Sequence, residues 1–364
     1  MIESILKKLI SFKTLSLDAK ENKRALDWFR NQVDQYPVYT KELVFNNHPS
    51  LLVTTQKTKN PKIWLQGHMD VVPGPADLFR AQVKSGKIIG RGAFDMKFAI
   101  ACYLHLVKNL GKQLQSYDFG IMLTSDEEMG GMNGVKKILE KGYGSKACIL
   151  PDGGAEEWQF EKTAKGIWQI KVKASGESAH SSRPWEGSNA IQNLCRFIDD
   201  LSKKFPQEPC GQNDHFHNTI NVGYMQGGEV INKIPNEAEA WIDIRFNTKS
   251  NHQTLKALVN KVRKNHSRIK IEEIVFANSY SLNTKNHYIN SFSEEVKKIK
   301  KITPGFSDAY GASDARFFSE KGIPVILIKP RGGEHHGRHE WIDIKDLNYF
   351  YDVIEAFIKK ETKI

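Results

Sequence analysis

The sequence has few of the features that mark exported, membrane-spanning or disulfide-bonded proteins. Its 364 residues include only four cysteines, which form no CxxC pair: Cys102, Cys148, Cys195 and Cys210. Three of them lie in apolar helical or strand contexts, which indicates reduced thiols in a cytoplasm rather than a disulfide framework. The N-terminal segment has no signal-peptide pattern, and no apolar run has transmembrane length. We therefore expect a cytoplasmic protein that makes no membrane contact.

The chain also lacks repeats, low-complexity tracts and a strong clustering of charge. Its formal net charge is +11, but Lys and Arg are scattered, and the densest basic run, residues 297–301, closes a predicted amphipathic helix. A solvated helix face explains this run better than a nucleic-acid surface does, so we expect no nucleic-acid partner. With 40% hydrophobic residues, the chain can build a core in each of two domains.

Alternating helical and strand patterns predict the fold class. Before residue 166, short apolar strands are separated by segments of helical periodicity, which indicates a mainly parallel sheet in an α/β domain. Residues 166–277 instead follow the order β-α-β-β-α-β, the ferredoxin-like split unit of α+β domains. Helix–strand alternation then resumes. We predict two domains: a discontinuous one made of residues 1–165 plus 278–364, and an inserted one made of residues 166–277.

A histidine and an aspartate follow the predicted strand 63–65. His68 and Asp70 stand two residues apart at its C-terminal end, where open α/β sheets carry ligand sites. A metal-binding histidine commonly donates its other ring N–H to a carboxylate or carbonyl. Taken alone, this pattern also fits an ordinary polar turn, so its interpretation depends on partners elsewhere in the chain.

Two acidic motifs occupy a helix start and a strand end. Asp95, in Gly90-Arg91-Gly92-Ala93-Phe94-Asp95, enters the first turn of a predicted helix, where simple N-terminal capping is an alternative role. Asp126, Glu127 and Glu128 follow the predicted strand 119–124. Three adjacent like charges are costly unless a cation neutralises them or water solvates them. We favour a metal-binding or catalytic role over a solvated loop.

Two further motifs follow later strands. Asp152 ends a buried strand within a Pro-Asp-Gly tripeptide, which is also an ordinary turn signal. The segment 332–341 holds three of the twelve histidines within five residues: His335, His336 and His339. Such a cluster most often binds metal, although one or two of its members can be surface residues.

Taken in order, these motifs resemble the M20 metallopeptidase/deacylase family, which includes aminoacylases, acetylornithine deacetylase, succinyl-diaminopimelate desuccinylase and glutamate carboxypeptidases. The resemblance covers essentially the whole chain. It implies a zinc-peptidase catalytic domain with two Zn²⁺, for which Co²⁺ or Mn²⁺ can substitute, and an inserted lid and dimerisation domain that forms a homodimer. It also implies ligands for each ion: His68, Asp95 and Asp152 for one, and Asp95, Glu128 and His336 for the other.

The same resemblance implies the remaining roles in the centre. Glu127 would be the general acid/base, and Asp70 would orient His68. His336 is preferred to His335 because it matches the His-x-x-x-Glu spacing of the family with Glu340, but His335 remains a competitor. Three carboxylates and two neutral imidazoles against two Zn²⁺ leave one positive charge for a bridging hydroxide. Such a pair of ions can polarise a carbonyl and lower the pKa of bound water to about 7.

Four residues would contact substrate by the same resemblance. His180 matches the histidine that, in dimeric relatives, reaches the active site of the partner subunit and steadies the tetrahedral oxyanion. Arg245 shares a strand face with Asp243 and is a candidate to bind the free carboxylate of the substrate. Asn232 and Ser313 match substrate-contact positions of the family.

The sequence thus predicts an enzyme that cleaves the amide bond of dipeptides or N-acyl amino acids bearing a free carboxylate. We favour an exopeptidase or aminoacylase. The nearest alternative is a biosynthetic deacylase that acts on acetylornithine or succinyl-diaminopimelate. A catalytically silent relative acting as a binding module would lack a ligand or the base, and this sequence has both.

Overall fold

The computed structural model describes residues 2–153, 157–206 and 215–364; Cys210 therefore lies outside the described residues. The chain divides into two compact units. Unit 1 comprises Met1–Lys162, Leu282–Ala309 and Ser313–Ile364, and unit 2 comprises Thr163–Ser281 and Tyr310–Ala312. The insert was predicted to span residues 166–277. Unit 2 begins three residues earlier, extends four residues further and also includes Tyr310–Ala312.

Helices and strands alternate along most of the described chain. The α-helices are α1 (Ile2–Ile10), α2 (Ala19–Val33), α3 (Lys97–Leu110), α4 (Val135–Glu140), α5 (Ala190–Ser202), α6 (His252–Arg263), α7 (His287–Lys300), α8 (Ala315–Glu320) and α9 (Ile344–Glu361). The strands are β1 (Tyr39–Phe45), β2 (His48–Thr54), β3 (Ile63–His68), β4 (Gln82–Lys84), β5 (Lys87–Ile89), β6 (Phe119–Thr124), β7 (Ala147–Ile149), β8 (Gln159–Ala164), β9 (Gly166–Ser175), β10 (Thr219–Gly227), β11 (Glu237–Phe246), β12 (Ile269–Ala277), β13 (Tyr280–Ser281), β14 (Gly305–Ala309), β15 (Val325–Ile326), β16 (Gly332–Gly333) and β17 (Trp341–Asp343). None of the helices in these described ranges combines the length and the apolar content that a bilayer crossing requires.

The main sheet of unit 1 has the strand order β1-β2-β6-β3-β7-β15. Parallel pairing joins β6 to β3, β3 to β7 and β7 to β15, whereas β1 and β2 pair antiparallel at one edge. All residues of β3 and β6 are buried, as expected for central strands covered on both faces. Gly120 is required here, because a Cβ would lie 2.3 Å from the Trp64 ring. The prediction of an α/β fold with a mainly parallel sheet is confirmed.

Unit 2 contains an antiparallel sheet with the strand order β10-β11-β9-β12. Helix α5 connects β9 to β10 and α6 connects β11 to β12, which gives the predicted β-α-β-β-α-β order. Burial alternates along β9 and β11, so one face of the sheet packs on the helices and the other is polar. The core includes Trp168, Phe197, Ile242 and Val259.

Candidate metal centre

The parallel strands of unit 1 bring the predicted metal residues to one edge of the sheet. His68 is the last residue of β3, Glu127 opens a short 3₁₀ helix after β6, and Asp152 follows β7. Because these strands are parallel, their C-terminal ends meet at the same edge. Asp95 was predicted in the first turn of a helix but lies two residues before α3 begins, and His336 lies in the loop between β16 and β17.

Two groups of potential ligand atoms lie at this edge. One nitrogen of His336 lies 3.1 Å from Asp95 Oδ2 and 3.1 Å from Glu128 Oε2. Nε2 of His68 lies 3.3 Å from the other oxygen of Asp95, Oδ1. Asp95 therefore faces a histidine with each carboxylate oxygen, as a bridging carboxylate must. Within each group the ligand atoms lie within 4.8 Å of one another, and the groups are His68, Glu127 and Asp152, and Asp95, Glu128 and His336.

The first of these groups contains Glu127 where the predicted ligand set contains Asp95. Asp152 Oδ1 lies 3.7 Å from His68 Nε2, so the predicted ligands His68, Asp95 and Asp152 are also neighbours. Glu127 thus lies close enough to this position to contact either an ion or a group bound to it. His335, the competitor of His336, belongs to neither group.

Two buried atoms in the cluster have no hydrogen-bond partner among the residues that the structure describes: His68 Nε2 and Asp95 Oδ1. Their side chains are 0% and 9% exposed. Buried polar atoms nearly always have partners, so two orphaned acceptors that face each other fit a shared cation. Imidazole nitrogens and carboxylate oxygens are ligands that Zn²⁺ accepts. The residues present therefore fit a metal centre.

Asp70 lies beside His68, but its carboxylate makes different contacts from those predicted. His68 Nδ1 donates to the backbone carbonyl of Asp70 at 3.0 Å, whereas Asp70 Oδ1 is 3.5 Å away. Since a carbonyl can only accept, Nδ1 carries the proton and Nε2 is left to face a cation. The Asp70 carboxylate accepts from Ser16 Oγ at 2.8 Å and from the backbone N–H groups of Glu127 and Glu128 at 3.3 and 3.2 Å.

A buried ion pair that the sequence analysis missed supports Asp95. Glu340 Oε1 accepts from the backbone N–H groups of Phe94 and Asp95 at 2.9 and 3.0 Å, and its Oε2 accepts from Arg91 at 2.8 Å. Arg91 also donates to the His336 carbonyl at 3.2 Å. The pair therefore joins the segment that carries Asp95 to the one that carries His336. Arg91 and Glu340 both lie in motifs identified from the sequence, but motif spacing alone assigns no supporting role to either residue.

The electrostatics of the cluster favour bound positive charge. Burial, together with the charge of Asp152, raises the pKa of Glu127 well above its ordinary value. Hydrogen bonds to Asp95 and Glu128 raise the pKa of His336 to about 10. Carboxylates packed this closely hold on to protons because their mutual repulsion is poorly screened. A divalent cation can replace those protons.

Two predicted substrate contacts lie in neighbouring segments of unit 2. His180 is exposed, and its Nδ1 accepts from the backbone N–H of Ser182 at 3.2 Å. The backbone carbonyl of Asn232 accepts from the N–H of Ser181 at 3.1 Å. His180 and Asn232 are thus brought together by the pairing of their two loops.

The other two predicted contacts already have partners within their own units. Arg245, on β11 of unit 2, donates through Nε to Asp243 Oδ1 at 2.6 Å. Ser313, in unit 1, is 7% exposed, and its Oγ accepts from the backbone N–H of Ala315 at 3.4 Å. Each keeps donor groups beyond these bonds, since a guanidinium has five N–H donors and a hydroxyl has one.

Comparison with known proteins identifies relatives over the whole chain. The sequence pattern of Peptidase family M20/M25/M40 matches residues 64–360. The succinyl-diaminopimelate desuccinylase of Rickettsia akari (strain Hartford) is 31% identical over an alignment of 384 positions, gaps included. The alignment covers 98% of this chain and 98% of that protein. The enzyme of the same name from Rickettsia bellii (strain OSU 85-389) is 28% identical over an alignment of 392 positions, which covers 100% of this chain and 97% of that protein.

Solved structures share the fold at lower identity. Aminopeptidase PepT from Bacillus cereus ATCC 10987 matches with a TM-score of 0.79 and 18% identity, over 99% of this chain and 97% of that one. The M20 family metallo-carboxypeptidase Sso-CP2 from Sulfolobus solfataricus matches with a TM-score of 0.79 and 18% identity, over 98% of each chain. These matches establish a common architecture along the entire chain.

Proposed function

The chain belongs to peptidase family M20/M25/M40 and is a metallohydrolase of that family, and we propose that it uses two zinc ions to cleave the amide bond of dipeptides or N-acyl amino acids bearing a free carboxylate. The observation that carries the proposal is the position of Asp95, whose two carboxylate oxygens lie 3.3 and 3.1 Å from His68 and His336. One carboxylate between two histidines suits a pair of ions better than a single ion.

The proposed ligands divide between two positions that share Asp95. When bound, the ions would lower the pKa of a water molecule and polarise the carbonyl of the substrate. Nδ1 of His68 is fixed by a backbone carbonyl, which leaves Nε2 as its ligand atom. The proposed ligands are His68, Asp95 and Asp152 at one position, and Asp95, Glu128 and His336 at the other.

Glu127 is the proposed general acid/base. It lies among the ligand atoms of His68 and Asp152, within reach of a water bound there. Burial raises the pKa of its carboxyl, and a general acid/base must hold a proton until the amine leaves. We propose that it takes the proton from the attacking water and delivers it to the nitrogen of the leaving group.

We also propose a homodimer formed through unit 2. Strand β10 is at an edge of the sheet, and it exposes Val222, Tyr224 and Met225; an open apolar edge of this kind favours pairing. Nδ1 of His180 accepts a hydrogen bond, so in the neutral imidazole the proton is on Nε2, which suits donation to an oxyanion. Light scattering should give the mass of a dimer, and a monomer would contradict a role for His180 across an interface.

A cytoplasmic location is proposed from the cysteines. Among the described residues, Cys102, Cys148 and Cys195 are free thiols, and the first two are buried. Unpaired thiols are usual where the surroundings are reducing. Zinc is the proposed physiological ion, with Co²⁺ or Mn²⁺ as substitutes.

A biosynthetic deacylase is the second candidate function. The relatives that match over nearly the full chain at 28–31% identity carry the name succinyl-diaminopimelate desuccinylase, whereas the peptidases match at 18% identity. This difference in similarity supports removal of a succinyl group as the alternative to peptide hydrolysis.

One panel of substrates tests both candidates. Succinyl-diaminopimelate, other succinyl amino acids, acetyl amino acids including acetylornithine, and dipeptides are assayed with the zinc-loaded enzyme, the chelated enzyme and Glu127→Gln. We expect activity to disappear with chelator, to return with Zn²⁺, and to fall by about 10²–10⁴-fold in the variant while its zinc content is kept. The preferred substrate class decides between the candidates. Activity that is unaffected by metal removal would contradict the mechanism.

A further inference from the structure

A buried lysine lies beside the proposed metal centre. Lys329 follows β15 and is 5% exposed. Its Nζ lies 3.9 Å from Asp152 Oδ1 and 4.9 Å from the centroid of the Phe94 ring. A lysine is almost never buried this completely unless opposite charges surround it. The proposed catalytic steps give it no task.

Acidic groups face Lys329 from several elements of unit 1. Asp95 lies before α3, Asp152 follows β7, Glu161 is on β8 and Glu340 lies before β17, and the charges of all four favour the ammonium form of Lys329. The lysine is therefore a counter-charge for the carboxylates that would bind the ions.

Lys329 and the two histidines of the cluster respond differently to a metal ion. An imidazole nitrogen binds an ion in its neutral form, so His68 and His336 bring no charge to the loaded site. Lys329 is not a ligand in either proposed position, and its charge remains. In a poorly solvated site, a fixed charge close to the ligand Asp152 repels an incoming divalent ion.

We propose that Lys329 is a permanent counter-charge that stabilises the metal-free carboxylate cluster and weakens metal binding. The inference rests on the metal centre of the proposed function. It follows from linkage: a group that stabilises the metal-free protein more than the loaded protein must lower the affinity for the metal by the same free energy.

A purely supporting role for Lys329 has the opposite consequence. If the lysine served only to hold Asp152 in place for the ion, removing it would loosen a ligand and weaken metal binding. The sign of the change in affinity therefore separates the two roles.

The test compares Lys329→Met, which keeps most of the length of the side chain and removes its charge, with Lys329→Arg, which keeps the charge. Zinc affinity is measured by competition with a chromophoric chelator, the number of bound ions by elemental analysis, and thermal stability with and without chelator. We expect Lys329→Met to bind at least one ion roughly tenfold more tightly than the wild type. We also expect it to melt at a lower temperature than the wild type when metal is absent, and Lys329→Arg to stay close to the wild type.

Two additional variants serve as a substitute and as a control. Lys329→Gln is measured in parallel and takes the place of Lys329→Met if the methionine variant does not fold. Lys108→Met removes a half-buried lysine of α3 whose Nζ donates to Gln32, and it should leave zinc affinity unchanged. Unchanged or weaker zinc binding by the uncharged Lys329 variants would overturn the inference. A wild-type protein that binds no zinc would overturn the proposed metal centre itself.

Discussion

His68 Nδ1 donates to the backbone carbonyl of Asp70, while the Asp70 carboxylate accepts from the backbone N–H groups of Glu127 and Glu128. The main chain thus fixes the histidine, and the side chain fixes the turn that carries the proposed base. One short segment after β3 therefore serves both a metal ligand and the group that moves the proton. These two tasks can be separated by mutation.

Asp70→Asn should impair catalysis more than metal binding. Its amide would place an NH2 donor against one of the two backbone N–H groups that now donate to the carboxylate, so the turn bearing Glu127 would shift. The backbone carbonyl that accepts from His68 remains. A displacement of about 1 Å can cost on the order of 10²-fold in rate. We expect a loss of that size in kcat with nearly full zinc content. Ser16→Ala, which removes one donor to the same carboxylate, is a milder companion variant. Zinc lost in parallel with activity would show that the carboxylate supports the ligand instead.

His336→Ala and His335→Ala distinguish the two neighbouring histidines. His336 Nε2 lies 3.1 Å from both Asp95 and Glu128, whereas His335 is in neither ligand group. Elemental analysis should find about one zinc fewer per chain in His336→Ala and a full complement in His335→Ala. Full occupancy in the His336 variant would refute its assignment as a ligand.

Glu340→Ala should destabilise unit 1 strongly. The substitution leaves Arg91 buried without its partner and removes the acceptor for the backbone of Asp95. Breaking a buried ion pair typically costs about 3–5 kcal/mol. Urea unfolding should reveal a loss of this order, together with reduced zinc content. Glu140→Ala is the matched control, since its exposed pair with Lys137 should contribute less than about 1 kcal/mol. Equal effects of the two variants would contradict a supporting role for Glu340.

Asp314 should make the stability of the protein depend on pH. It is 0% exposed, its Oδ1 has no hydrogen-bond partner within the described part of the chain, and burial raises its pKa to about 8. The folded protein therefore favours the neutral carboxyl, so its contribution to stability is complete below the ordinary pKa near 3.8 and is lost as the pH rises through about 8.

Asp314→Asn cannot ionise and should gain stability relative to the wild type as the pH rises from 5 to 8, by a few kcal/mol in total. Urea unfolding across this range, at equal zinc content, measures the difference. Asp77→Asn, at an exposed position of the same unit, is the control. Parallel pH profiles for wild type and Asp314→Asn would refute the prediction.

The central strands were predictable because their burial leaves a clear sequence pattern. The strand predicted at residues 119–124 is β6, and the helix predicted to hold Asp95 in its first turn is α3, which begins two residues later at Lys97. Strand β1 was missed because most of its residues are exposed and its only apolar run, Leu43-Val44-Phe45, is three residues long. Strand β3 was predicted to end at residue 65, but it extends to His68. Its pairing with β6 continues as far as His68, which lies opposite Thr124.

The members of the candidate metal centre could be predicted from motif order, but their contacts could not. Sequence spacing places His68 next to Asp70 without telling whether the backbone or the side chain of Asp70 is the acceptor. Glu340 stands 245 residues from Asp95, whose backbone it binds, and Lys329 faces Asp152 only because β7 and β15 are adjacent. Such relationships depend on how strands are ordered in the sheet, and local sequence does not carry that order.

Anomalous X-ray scattering at the zinc edge, from crystals of the zinc-loaded enzyme, tests the central claim most directly. We expect two peaks of comparable height, separated by about 3.5–4 Å, with the Asp95 carboxylate between them and His68 and His336 on opposite sides. A single peak, or two peaks that do not share Asp95, would contradict the two-metal centre.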